Sequence, residues 1–136
     1  MDAAAQPGLT VHGYYVWQSS KVINSNNSFS AVYAKGRELL RRPRHSGSIQ
    51  GELSRSRVTV GIGVLYVGTR VDSDFRSLGL ESNDSYTTVN ANGDVRIARR
   101  TSGFINIENL GNFQYMEPLG YPGLGRTVRV GLRTSF

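Results

Sequence analysis

The stretch Arg126-Thr127-Val128-Arg129-Val130-Gly131-Leu132-Arg133-Thr134-Ser135-Phe136 decides the fold. Val128, Val130, Leu132, Thr134 and Phe136 alternate with Thr127, Arg129, Gly131, Arg133 and Ser135. Successive side chains of a β-strand point to opposite faces, so this segment is a strand with one apolar face and one strongly basic face.

The same period of two recurs upstream. Leu9, Val11, Gly13, Tyr15 and Trp17 share one face of a first strand, and Gly47, Ile49, Gly51 and Leu53 one face of a second. Val58, Val60, Ile62, Val64 and Tyr66 mark a third, Val89, Ala91, Gly93, Val95 and Ile97 a fourth, and Gly103, Ile105 and Ile107 a fifth. With the terminal segment these make about six strands of ~9–11 residues, the length of a tilted strand that crosses a bilayer. Alternation alone does not separate a membrane sheet from the half-buried sheet of a soluble sandwich.

The connections separate them. Ser54-Arg55-Ser56-Arg57 and Arg99-Arg100-Thr101-Ser102 are tight links. Long stretches alternate with them: Ser19 to Arg44 between the first and second strands, Gly68 to Ser85 between the third and fourth, and Leu110 to Gly125 between the fifth and sixth. Short turns that alternate strictly with long loops are the habit of outer-membrane barrels, whereas a Greek-key sandwich mixes them. The segment from Ala31 to Leu40 has room for a helical turn, but its periodicity is poor and it reads as loop. The expected fold is therefore all-β, an antiparallel up-and-down meander of about six strands from a transmembrane β-barrel.

Composition agrees. Only 38% of the residues are hydrophobic, below the roughly 45–50% of globular domains, as expected where half of each strand faces a wet lumen. No run approaches the ~18 apolar residues of a spanning helix. The absence of cysteine excludes disulfides, thiolate metal sites and cysteine nucleophiles. The start, Met1-Asp2-Ala3-Ala4-Ala5-Gln6-Pro7, carries neither the basic region nor the apolar core of a signal peptide. A net charge of +6 and a pI near 10.1 raise the possibility of a basic nucleic-acid-binding β module. The dense cluster Arg37, Arg41, Arg42 and Arg44 has no interleaved aromatic residues, however, so a stacking platform is not expected. The surface reads as solvated or facing lipopolysaccharide, with no nucleic-acid partner.

The last third carries Ile107-Glu108-Asn109-Leu110, Gln114-Tyr115, Glu117-Pro118-Leu119-Gly120-Tyr121-Pro122, Gly125-Arg126 and a closing strand that ends on Phe136. In this order and spacing they resemble the end of a TonB-dependent outer-membrane receptor, with the cobalamin (vitamin B12) transporter branch the nearest likeness. Upstream, Tyr66-Val67-Gly68-Thr69-Arg70 followed by Asp72, Asp74 and Phe75, and Leu39-Leu40-Arg41-Arg42-Pro43-Arg44 before a strand, are similar to the same family. The resemblance implies that residues 1–136 are the C-terminal segment of a receptor barrel, without plug domain or signal peptide, in the outer membrane of a Gram-negative bacterium. It implies a barrel of about 22 strands with a plugged lumen that imports a siderophore, cobalamin or similar chelate. The partners it implies are the remaining barrel strands, the plug, the TonB complex reached only through that plug, and outer-membrane lipid or lipopolysaccharide. This segment alone is then a fragment not competent for transport.

Further roles follow from the resemblance. Val128, Val130, Leu132 and Phe136 correspond to the signal read by the barrel-assembly machinery. Glu108, Asn109, Leu110, Tyr115, Gly120, Tyr121, Gly125 and Arg126 form the family motif. Asp72, Asp74, Phe75 and Tyr121 are candidate ligand contacts in the loops. From the residues themselves, Tyr15, Trp17, Tyr66 and Phe136 suit aromatic girdles at strand ends. Arg96, Arg129 and Arg133 with Glu52 and Glu108 suit a charged ladder on the lumen side, because arginine facing lipid at the midplane costs ~2–4 kcal/mol.

Bland readings hold elsewhere. Asp72, Asp74, Glu81 and Asp84 lack calcium-loop spacing and read as solvated loop. His12 and His45 are isolated, and Gly61 and Gly63 lie inside a strand where small residues admit close neighbours. No catalytic arrangement is recognisable; an enzyme, a metal or a cofactor is not expected. The rival reading is an autonomous small barrel or sandwich that binds an apolar or anionic ligand inside.

Overall fold

The terminal alternation forms a strand at the edge of a single six-stranded sheet. The computed structural model of the chain describes residues 8–26, 31–73 and 79–136. The strands are β1 (Gly8–Trp17), β2 (His45–Arg55), β3 (Val58–Val67), β4 (Arg70–Ser73), β5 (Leu80–Asn83), β6 (Tyr86–Ala98), β7 (Thr101–Glu108) and β8 (Thr127–Thr134). The large sheet has the order β1-β2-β3-β6-β7-β8, and β4 and β5 form a separate hairpin between β3 and β6. Every pairing is antiparallel. This is the expected meander. Two features differ from the sequence reading: the second long connection holds the β4–β5 hairpin, and a 3-10 turn, Ala31–Tyr33, interrupts the first.

Register assigns the faces. Val128 pairs with Ile107, which pairs with Ala91, which pairs with Ile62, which pairs with Gly51, which pairs with Val11. Cross-strand partners share a face, so one apolar surface runs unbroken across six strands. The opposite surface carries Arg129, Asn106, Asn92, Gly61, Glu52 and Thr10 in the neighbouring rung. A one-residue slip of β8 would move Arg129 and Arg133 into the apolar row, and one of β6 would move Asn92 and Asp94 there, which is why the pattern fixes the register so firmly.

No dry centre forms between these faces. Among the described residues only Val22 and Tyr86 are buried hydrophobics, while Val130 and Leu132 are 71% exposed. A single layer of sheet with an unpartnered greasy side is not a soluble architecture, because such domains bury that side against a second layer. Burying one such side chain stabilises by about 1.5–3 kcal/mol, and the face carries many, against a net domain stability of about 5–15 kcal/mol. The sandwich alternative is therefore excluded for the described residues. No helix among them is long and apolar enough to cross a membrane; any crossing is made by strands.

Two-residue turns, 56–57 and 99–100, close one end of the sheet, and Ser56 sits at φ 53°, as tight hairpins demand. A register shift between Arg96 and Ala98 places a bulge beside the second turn. All the long connections emerge at the other end. β1 and β8 remain as open edges, and in hydrocarbon each unpaired backbone group would cost several kcal/mol.

Candidate functional site

The polar face lines a groove of about 580 Å³ whose walls come from β1 through to β8, including His12, Gln50, Asn92, Asn106, Glu108 and Arg129. Residues of both edge strands border the same groove, so the sheet bends around its polar side. Glycines shape the floor. A Cβ on Gly61 would collide with the Asn92 carboxamide, and one on Gly63 would lie 3.2 Å from Gln50 Cγ. These glycines let neighbouring amides lie flat on the sheet, as their strand position suggests.

The expected charge ladder is present in part. Arg129 bridges Glu108, and Arg133 lies 3.8 Å from Asp94 while its guanidinium stacks 5.5 Å from the Phe104 ring. Phe104 in turn occupies the space over Gly131. Arg96 and Glu52 share the polar face, but among the described residues neither joins an ion pair. The surface offers densely spaced hydrogen-bond donors and acceptors, suited to a hydrated or protein-filled interior.

At the long-loop end, three connections meet in a polar cluster. Asp72 on β4 is fully buried. Its Oδ1 accepts from Arg41 Nε at 2.9 Å and from the Ser73 amide at 2.8 Å, and its Oδ2 accepts from the Leu119 amide at 2.9 Å. Burial pushes this carboxyl toward the neutral form. The Leu119 amide, the Arg41 guanidinium and the Ser73 amide together outweigh that and hold it below its ordinary value.

Arg70, also buried, donates through Nη2 to the carbonyls of Met116 (2.6 Å) and Glu117 (2.5 Å) and through Nη1 to that of Asp84 (3.3 Å). Asn83 Nδ2 donates to the same two loop carbonyls at 3.2 and 3.1 Å. The Tyr86 and Tyr115 rings stack at 4.2 Å, with Arg70 5.4 Å from the Tyr86 centroid. The hairpin thus pins the final loop down over the sheet.

The structure gives the motif residues separate places. Asn109, buried and at φ 50°, turns the chain out of β7. Its amide donates to Asn90 Oδ1 (2.9 Å), its Nδ2 to the carbonyls of Phe113 (2.8 Å) and Leu124 (3.1 Å), and its Oδ1 accepts from the Phe113 amide (2.9 Å). Asparagine tolerates the left-handed region and can satisfy a turn's backbone groups; both uses occur here. Gly120, at φ 84°, allows the reversal that brings Met116 opposite Pro122. The Arg126 amide donates to Asn112 Oδ1 at 2.8 Å. Leu110 and Tyr121 are exposed, and Gly125 stands within reach of Asn112.

Of the candidate loop contacts, Asp72 is corrected. Both its oxygens are engaged inside the cluster and none of its surface is open, so it organises the loops rather than facing a ligand. Asp74 and Phe75 lie outside the described residues. Val128, Val130 and Leu132 point outward on the apolar face, and Phe136 is fully exposed beyond the end of β8 and beyond Ser135, whose amide still donates to the Arg100 carbonyl. Tyr15, Trp17 and Tyr66 gather on the apolar face at the long-loop end, where Tyr15 Oη contacts His45 Nδ1 at 2.6 Å. Sequence reasoning missed Arg41, Arg70, Asn83 and Tyr86 as a joint unit, since their partners lie as far as 47 residues away.

No protein-family profile and no curated protein matches the chain. Solved structures do. The ferric-catecholate import receptor Fiu from E. coli K12 superposes with a TM-score of 0.77 at 22% identity, covering 97% of this chain and 19% of that one. The siderophore receptor PiuA from Acinetobacter baumannii gives 0.76 at 16% identity, covering 93% and 19%. The ferripyoverdine receptor of the Pseudomonas aeruginosa outer membrane gives 0.74 at 18%, covering 97% and 18%. The fold is that of a wall segment from an outer-membrane receptor β-barrel. The chain spans about a fifth of the length of these structures, and the three are siderophore or ferric-chelate receptors, none of them a cobalamin transporter.

Proposed function

We propose that the chain is the barrel wall of a TonB-dependent receptor that takes a ferric siderophore across the outer membrane of a Gram-negative bacterium. The observation that carries this reading is the unbroken apolar face of six strands, backed by a polar groove on the other side and capped by interlocked loops at one end only. Such a sheet makes physical sense with hydrocarbon outside and a wet, occupied lumen inside. Siderophore is preferred to cobalamin because the neighbouring structures bear on the former, while the motif residues alone suggested the latter.

Six strands do not close around a filled lumen; about eight is the small end. Transport then belongs to the assembled receptor, with the remaining strands completing the wall and the plug resting on the polar face. TonB acts through that plug. Tyr121, exposed on the loop beyond the Asp72 cluster, is the ligand contact favoured within this chain. Val128, Val130, Leu132 and Phe136 serve as the signal for the barrel-assembly machinery.

The test is localisation joined to uptake. The protein should remain in the outer-membrane fraction after carbonate washing and be released by detergent, and loss of its gene should abolish growth on one ferric siderophore as sole iron source. Recovery as a detergent-free soluble monomer would reject the reading. Membrane residence with iron uptake intact but cobalamin uptake lost would restore the cobalamin alternative.

A further inference from the structure

The short-turn end of the sheet concentrates positive charge beside an apolar notch. Arg55, Arg57, Arg96, Arg99, Arg100 and Arg133 are exposed there. The two turns lie side by side, since the Arg96 amide donates to the Arg57 carbonyl at 2.8 Å and the Ser135 amide to that of Arg100 at 3.0 Å. Among the described residues, Asp94 pairs only with Arg133 and no carboxylate pairs with the other five. Like charges held this closely repel, and a surface of this kind is stabilised by anions.

On the apolar face next to that rim is a groove of about 560 Å³, lined by Val58, Val95, Ile105, Val130 and Leu132. Its floor is lowered by Gly93 and Gly103, which stand diagonally across β6 and β7. Val58, at its upper wall, is the direct cross-strand partner of Arg55 on the same face. An amphiphile seated in the notch would therefore find Arg55 and Arg57 beside Val58, and Arg100 three residues beyond Gly103, about 10 Å at roughly 3.3 Å per residue.

We infer that this end of the sheet holds an anionic phospholipid, its phosphate against the Arg55, Arg57, Arg99 and Arg100 rim and one acyl chain in the notch over Gly93 and Gly103. Charge selects the lipid. A guanidinium fork binds phosphate oxygens in bidentate fashion, and each arginine near an anionic headgroup contributes roughly fivefold in affinity. A zwitterionic headgroup would bring its own cation against the rim and lose that gain. The inference rests on the membrane-spanning reading above and adds to it a preferred lipid and the residues that choose it.

The experiment uses the full chain in detergent micelles stripped of lipid, titrated separately with phosphatidylglycerol and phosphatidylcholine, with retained lipid counted by native mass spectrometry. Phosphatidylglycerol should be retained in preference. R99Q with R100Q should reduce that preference by on the order of tenfold or more, and R99K with R100K should restore much of it. The pair R55Q and R57Q, on the other turn, provides an independent reading should the first pair misassemble. Gly103→Leu should lower retention of both lipids without changing their ratio. Equal retention of the two lipids, or a preference that neither arginine pair changes, overturns the inference while leaving the chain a micelle-bound membrane protein. A chain that is soluble and ignores micelles overturns both readings together.

Discussion

Asp72 sits in the loop that read as solvated, yet its carboxylate is sealed inside the structure with three donors around it. Little in its sequence neighbourhood announces this, because two of the three donors come from Arg41 and Leu119, 31 and 47 residues away. A charged hydrogen bond is worth about 1.5–3 kcal/mol, so Asp72→Asn should loosen the cluster by about that much. Amide hydrogen exchange at Ser73 and Leu119 checks it, with an acceleration of at least tenfold expected. The sign with pH follows from the depressed carboxyl: stability from Asp72 is fully present above the ordinary carboxylate value of 3.8 and is lost as pH falls through its lower folded value. Loop protection should thus persist at pH 5 and disappear only in stronger acid; loss already near neutrality would contradict the assignment. Gly47 offers a second residue-scale test. A Cβ there would lie 2.8 Å from the Tyr14 carbonyl oxygen, backbone that cannot swing aside, so Gly47→Val should cost about 1–3 kcal/mol by overpacking, seen as a lower urea midpoint of the membrane-inserted protein, while Gly51→Val, where a Cβ meets nothing, should shift it far less.

At the scale of elements, the long strands were legible and the short ones were not. β8 and β3 keep a two-residue alternation, and an apolar row on one face against a polar row on the other leaves no freedom in how it is read. β4 and β5 are four residues each; Arg70-Val71-Asp72-Ser73 presents no apolar row, and its pairing with Leu80–Asn83 is decided by contacts to the final loop. β6 was readable despite its polar composition because Val89, Ala91, Gly93 and Val95 still alternate; its asparagines and Asp94 line the groove or its rim. The faces give a direct test on β8. Val130→Arg places a cation on the apolar side at a cost of about 2–4 kcal/mol near the midplane and should deplete the protein from the membrane fraction, whereas Arg129→Val on the other face should leave its membrane level nearly unchanged. Similar depletion by both would dissolve the distinction between the faces. Removal of Phe136 should leave strand pairing intact, since β8 ends at Thr134 and the terminal backbone hydrogen bond is donated by Ser135, yet lower the rate of appearance in the outer membrane if it serves in assembly.

At the scale of the molecule, the meander order and the division into turn end and loop end could both be derived from the spacing of links. The interlocked loops could not, for a reason of distance. Strand faces are set by neighbours one or two residues away, but the loop cluster is set by side chains brought together only after the sheet has formed. β1 and β8 are open edges of the sheet, and the chain spans about a fifth of the length of the receptors it superposes on.

Because the chain has no native cysteine, single cysteines can be placed at will, and spin labels walked along residues 128 to 133 give the most direct measurement. In membranes, labels at 128, 130 and 132 should relax rapidly with dissolved oxygen and be shielded from a water-soluble nickel chelate, while those at 129, 131 and 133 should show the opposite. An accessibility profile without this two-residue swing, or with the apolar positions protected from oxygen and chelate alike, would mean that the valine and leucine row packs against protein and not against lipid.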